Sequence, residues 1–179
     1  MVSVKTYLFD EMAEKNGMVP FAEYSGEIHD IHYVLGVLSI SINQNRVFNI
    51  ETENIDSLWA EIISALLELL DTKTRAVAPI PDWPGELIFE VVHNGKLKVC
   101  FSYTDTKVIF DRRATPKSTP VKDIKKCEVT NLFKFVLVMA NESKSFFNYL
   151  KKIAPENINF YNEQEKRAEL LLSRSRGQI

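Results

Sequence analysis

Residues 86–103 read Glu-Leu-Ile-Phe-Glu-Val-Val-His-Asn-Gly-Lys-Leu-Lys-Val-Cys-Phe-Ser-Tyr. Two runs rich in β-branched and aromatic residues flank His93-Asn94-Gly95, and Asn-Gly between such runs is the signature of a two-residue hairpin turn. In the second run Leu97, Val99, Phe101 and Tyr103 share one face, while Lys96, Lys98, Cys100 and Ser102 share the other. The hairpin therefore has a buried side and a wet, basic side, in a register that sets His93 opposite Lys96 and Phe89 opposite Cys100. Thr104-Asp105-Thr106 reads as a further turn and Lys107 to Arg112 as a third strand, which makes a three-strand meander. Pro116 and Pro120 bound the loop that follows, and Lys117, Lys122, Lys125 and Lys126 make it basic.

Upstream, residues 72–85 lose periodicity, and Pro79, Pro81, Pro84 and Gly85 oppose regular structure around Trp83. Before them, Trp59, Ile62, Ile63, Leu66, Leu67 and Leu70 recur at the i, i+3, i+4, i+7 spacing of a buried helical stripe over residues 55–70. Glu61 and Glu68, seven apart, share the opposite face. Residues 31–42 are apolar on both parities, as suits a strand covered on both faces at least in part. Asn43-Gln44-Asn45 then turns the chain into a second strand at Val47, Phe48 and Ile50. At the start, Val4, Tyr7, Leu8 and Met12 fit a short helix capped by Ser3 and ended by Gly17, with Asp10, Glu11 and Glu14 on its wet side.

Downstream, Leu132, Met139, Phe146 and Ile153 recur every seven residues, with Val136 and Leu150 between them, which predicts a long helix up to Pro155 and marks Asn141-Glu142-Ser143 as a candidate interruption. A last helix over about residues 162–174 would bury Leu171 and Leu172, with residues 173–179 as a frayed tail. The element order αββα-βββ-αα predicts a single α+β domain over residues 1–179, an antiparallel sheet packed against helices.

The 179 residues are 45% apolar and 26% charged, which is ordinary globular composition and excludes a disordered or fibrous chain. A chain of this length can bury about 70% of its unfolded surface, so packing alone can hold it. Cys100 and Cys127 are the only cysteines; their number favours free thiols in a reducing compartment, with one disulfide as the alternative. Acidic residues interrupt the N-terminal stretch before a signal-peptide core can develop, and no apolar run approaches the roughly 20 residues of a membrane span. The expectation is a cytoplasmic protein that does not enter membranes.

Charge is distributed less evenly than the net of −2 implies. Residues 1–85 carry thirteen acidic and five basic groups, residues 86–126 five and nine, and residues 127–179 six and eight. A skew of this size speaks to partners and association rates.

Catalytic chemistry finds little support. The only tight set of candidate metal ligands is His29-Asp30-Ile31-His32, with Glu27 nearby. On a strand His29 and His32 point to opposite faces, so only a turn could close them on one ion, as a metal-dependent hydrolase would need. Four residue steps, roughly 13 Å, separate Cys100 from His93, too far for a thiolate–imidazole pair. No phosphate-cradling, dinucleotide or nucleophile-elbow motif occurs, and no cofactor is implied.

A nucleic-acid module would use the basic 96–126 meander, with Lys96, Lys98, Lys107, Arg113 and Lys122 to Lys126 as the strip and Tyr103 at its edge. The alternation, however, turns Phe101 and Tyr103 away from Lys96 and Lys98, whereas single-strand binders carry both on one face. Trp83 reads as a plug closing one end of the core.

What remains is a non-catalytic protein-binding domain with a cationic protein as partner. Its candidate contact residues are Glu61 and Glu68 on the strong helix, Glu51 and Glu53 before it, and Asp10, Glu11 and Glu14 on the first. The specific form this suggests is a small cytosolic inhibitor, an immunity protein in the bacterial sense, whose carboxylates block the phosphate groove of a basic, nuclease-type toxin.

Overall fold

A computed structural model of the chain describes residues 1–10, 17–26, 28, 33–104 and 123–176. The α+β class and the antiparallel pairing are as expected, but strands come in two sheets, each followed in the chain by a helix. The first sheet is built from β1 (Val2–Phe9), β2 (Met18–Pro20), β3 (Gly36–Ile42) and β4 (Asn45–Thr52), ordered β2-β1-β3-β4, and α1 (Ile55–Thr72) follows. The second contains β5 (Arg75–Pro79), β6 (Gly85–Val92), β7 (Lys96–Thr104) and β8 (Asp123–Asn131), paired in sequence order. It is followed by α2 (Leu132–Ile153) and α3 (Ile158–Arg176).

The first element corrects the expected helix. Val4, Thr6 and Leu8 are buried while Ser3, Lys5 and Tyr7 are not, which is a period of two. Tyr7, counted into a helical stripe, points outward, and the inward place between Val4 and Leu8 belongs to a polar residue. Thr6 can stand there because its hydroxyl accepts the Trp59 indole N–H at 3.2 Å. Gly17, expected to end that helix, instead precedes β2 with φ +64°, and a Cβ there would meet the Phe9 ring at 2.4 Å.

The β3–β4 hairpin is as predicted. Asn43 and Gln44 both take positive φ, the two-residue turn that matches strand twist. β3 is covered on one face rather than two: Leu38, Ile40 and Ile42 are buried, and Val37, Ser39 and Ser41 are partly exposed. A bulge opposite Ile40 and Ser41 lets the consecutive residues Val47 and Phe48 both turn inward.

α1 forms as expected and buries Leu58, Trp59, Ile62, Ile63, Leu66 and Leu69, packing chiefly on β5 and then on α3 and β6. It stops where Lys73 adopts the left-handed conformation, φ +56°. The stretch expected to be irregular then supplies β5, a short outer strand ending on Pro79, where a missing amide costs little.

The β6–β7 hairpin closes through a three-residue 3-10 turn rather than a two-residue one. Its register is therefore one step from the prediction: Val92 faces Lys96, Phe89 faces Val99, and Ile88 faces Cys100. The predicted third strand, residues 107–112, lies outside the described residues. The strand that pairs with β7 is β8, which includes Lys125 and Lys126, two of the lysines expected in a loop, and it sets Cys127 directly opposite Cys100. The two cysteines are bonded across the ladder with a Cα–Cα distance of 4.1 Å, which corrects the reading as free thiols.

α2 is uninterrupted at Asn141-Glu142-Ser143, where Ser143 is fully buried, and the Asn131 side chain caps it by accepting the Lys134 amide at 3.0 Å. α3 runs to Arg176 with Ser175 buried, so residues 173–176 are ordered helix rather than a frayed tail. One core joins both sheets and all three helices; Phe48 of β4 meets Phe101 of β7 edge-on at 5.2 Å where the sheets touch. Among the described residues no helix is long and apolar enough to cross a membrane.

Candidate protein-binding surface

The carboxylates proposed from sequence separate into two groups. At one end of the first sheet, Leu8, Gly36 and Thr52 form a single rung across β1, β3 and β4. Everything that leaves the sheet there converges: the Phe9 amide donates to the Leu35 carbonyl at 3.1 Å, and the Ile55 amide to the Val34 carbonyl at 3.0 Å. Glu51 and Glu53 are exposed at this end, and Asp10, just past the end of β1, is partly exposed. Glu11 and Glu14 lie outside the described residues.

A fourth carboxylate, missed in the sequence, joins them. The Asn54 side chain does not cap α1; its amide nitrogen donates to the Asp82 carboxylate. Asp82 belongs to the turn between β5 and β6, which three backbone hydrogen bonds close: Ile80 to Gly85 at 3.1 Å, Trp83 to Ile80 at 3.3 Å and Gly85 to Trp83 at 2.8 Å. Asp82 takes φ +62°, a conformation that Asp tolerates better than most residues. The stretches 8–10, 33–37, 50–56 and 80–85, which meet here, hold these four carboxylates, the buried Asp56 and no Lys, Arg or His.

Trp83 follows Asp82 and is 45% exposed, so it is not the plug of the core that its setting suggested. Tyr33, next to Val34 at the same end, is 56% exposed. They are the two aromatic residues among the large exposed apolar side chains of the described structure, and both belong to stretches that converge at this end. Trp59, by contrast, is completely buried.

Glu61 and Glu68 are exposed on α1, but about 9 and 20 Å along the helix axis from Ile55. They flank a seam with α3. Arg167 donates to the Ser64 hydroxyl at 2.7 Å and Arg174 to Asp71 at 2.6 Å. Partners seven apart on both helices, taken in the same direction, mean that α1 and α3 run parallel. These arginines stand one helical step from Glu61 and Glu68, so that side of α1 is of mixed sign rather than acidic.

Two further carboxylates are held within the fold, Asp56 buried and Glu142 half-buried. The Glu142 carboxylate on α2 accepts the Thr6 amide at 3.0 Å, a group of β1 that has no strand partner on that side. Burial pushes Glu142 above the usual carboxylate range, and the Thr6 amide and hydroxyl oppose the shift. Asp56, in the first turn of α1, is raised by burial and held back by backbone amides, that of Ser57 at 2.8 Å among them. Tyr161 lies beside it, pushed up to about 12 by burial, with the Asp56 charge adding to the shift. Glu142 ties α2 to β1, whereas the buried Tyr161 hydroxyl between α3 and α1 makes no hydrogen bond among the described residues.

The basic meander is not a continuous strip. Lys98 is directly opposite Glu90 and pairs with it at 3.5 Å, Glu86 occupies the rung of Lys125, and Lys125 and Lys126 point to opposite faces of β8. Tyr103 stacks on Phe101 at 5.4 Å rather than standing beside Lys96 and Lys98. Lys107, Arg113 and Lys122 lie outside the described residues, as do His29 and His32. Among the described residues no group of three or more His, Cys, Asp or Glu is placed to hold a metal ion.

Comparison with family models, with curated proteins and with solved structures finds no match to this chain.

Proposed function

We propose that the protein is a non-catalytic binding protein for a cationic protein partner, in the specific form of a small immunity protein that neutralises a basic, nuclease-type bacterial toxin. The observation that carries the reading is the convergence of Glu51, Glu53 and Asp82, with Asp10 beside them, on a surface whose contributing stretches contain no basic residue. Carboxylates gathered in this way steer a basic partner by long-range attraction and compete with nucleic-acid phosphate for its Arg and Lys side chains. Relative to the sequence-based expectation, the proposed surface keeps Glu51, Glu53 and Asp10, adds Asp82 and leaves out Glu61 and Glu68.

The test begins with the neighbouring reading frame, which the proposal requires to encode an exported protein with a basic C-terminal domain, and that domain is then purified as the probe. Stoichiometric addition of the chain should abolish that domain's nuclease activity, with an association rate that falls steeply with salt. The variant E51K/E53K/D82K should associate at least tenfold more slowly while melting at nearly the same temperature. Full nuclease activity in excess chain, or equal association rates for the two proteins, would refute the proposal.

A further inference from the structure

Trp83 and Tyr33 set the chemistry of the acidic surface more narrowly than charge does. Solvent-exposed Trp is costly, and a chain that buries Trp59 completely has the means to bury another. Here the turn is instead fixed around it. Pro81 and Pro84 restrict the backbone on either side, three main-chain hydrogen bonds close the loop, and Asn54 anchors Asp82 from a different element. A loop so constrained has little conformational entropy left to lose on binding, and exposed Trp and Tyr of this kind are the typical centres of protein interfaces.

The cation that suits such a place is a guanidinium. It is planar, it stacks on an indole face, and its fork of N–H donors matches a carboxylate, whereas an ammonium is a compact and strongly hydrated point charge. Resting on the acidic-surface reading above, we infer that Trp83, with Tyr33 and Asp82, forms an anchor for an arginine side chain of the partner protein. The guanidinium lies over the Trp83 ring while Asp82 and Glu53 accept its N–H groups.

The chain has two tryptophans, one buried and one exposed, so two indole N–H signals in a 15N-correlated NMR spectrum separate the anchor from the core. The probes are the blocked pentapeptide Gly-Arg-Gly-Arg-Gly and its lysine counterpart. The arginine peptide should move the Trp83 signal and leave that of Trp59 in place, binding about threefold more tightly than the lysine peptide. W83A should remove this preference, and D82N, which keeps the indole in place, should weaken arginine-peptide binding. Equal affinities for the two peptides, lost together in E51K/E53K/D82K, would overturn the anchor while leaving the acidic surface intact. A Trp83 signal that moves with neither peptide would also overturn it, the acidic surface then being judged by toxin inhibition alone.

Discussion

Replacing Glu142 tests how the two halves of the fold are held together. Its carboxylate is the acceptor for the Thr6 amide, a β1 group facing away from β3, and Thr6 in turn accepts the Trp59 indole at the centre of α1. In E142A the Thr6 amide loses its partner in a partly buried position, which costs about 1–3 kcal/mol. For a chain of this size that is a fall of roughly 2–12 °C in melting temperature. E142Q keeps a carbonyl oxygen for the amide and removes the buried charge, so at neutral pH it should melt within about 1 kcal/mol of the native protein, on either side.

The pH dependence separates the two effects. Because burial raises the Glu142 pKa in the folded state, the folded protein holds this proton more tightly than the unfolded chain. Stability from this group is therefore greatest below the ordinary carboxylate value, and it falls as pH rises from there through the raised folded value. The difference in melting temperature between E142Q and the native protein should move in favour of E142Q over that same interval and be flat above it. Asp56, also raised by burial, contributes with the same sign in both proteins and cancels from the difference. Thermal melts of both proteins across pH 4–8 decide the matter. A difference that is constant with pH, or one that favours the native protein increasingly as pH rises, would refute a desolvated Glu142.

The Cys100–Cys127 bond spans a sequence separation of 27, and loop-closure entropy puts its stabilisation at about 3.5 kcal/mol. Urea unfolding of C100S/C127S and of the native protein under reductant should show the same loss, and a native protein indifferent to reductant would show that the β7–β8 ladder suffices alone. E61K/E68K should alter stability by less than about 1 kcal/mol and leave toxin association within threefold of native, because these carboxylates lie away from the converging end of the sheet; a slowing equal to that of E51K/E53K/D82K would return the contact surface to α1.

The helices and the β3–β4 and β6–β7 hairpins were legible because their signals are local. An i, i+3, i+4, i+7 stripe needs only its own helix, and Asn43-Gln44 and Asn94-Gly95 mark turns wherever they occur. What failed depended on remote partners. β1 was hidden because Thr6 reads as polar until Trp59 and Glu142 are seen to satisfy it. β5, with two alanines and a proline in five residues, carries almost no strand propensity of its own and forms because Arg75 to Pro79 can pair with β6. β8 mixes Lys125, Lys126 and Glu128 on both parities, as an outer strand can, and its pairing is visible only once Cys127 is set against Cys100. For the candidate surface, Glu51 and Glu53 could be named from sequence, but Asp82 and Tyr33 could not. The one signal for the turn was Pro81-Asp82-Trp83-Pro84-Gly85 itself, where two prolines around an Asp-Trp pair mark a fixed and outward-facing tip more readily than a core plug.

Ion pairs between the two halves of the chain do little to neutralise the skew of charge. Among the described residues there are four ion pairs, and three of them, Lys98 with Glu90, Lys144 with Glu169 and Lys151 with Glu165, join cations of the second half to carboxylates of the same half. Only Arg174 with Asp71 crosses between the halves. The single crossing pair, with Arg167 beside it, lies along the α1–α3 seam near Glu68, away from the converging end of the first sheet. At physiological salt, exposed charges influence one another over about 8 Å. Neighbouring strands stand about 4.8 Å apart, which puts the β1 and β4 ends of the rung roughly 10 Å from each other, close enough for Asp10, Glu51 and Glu53 to act partly in concert. Glu68, some 20 Å up the α1 axis, is beyond two screening lengths and adds nothing to that end. The part of the sequence asymmetry that can act on a partner is therefore the end of the first sheet, where the exposed aromatics also are.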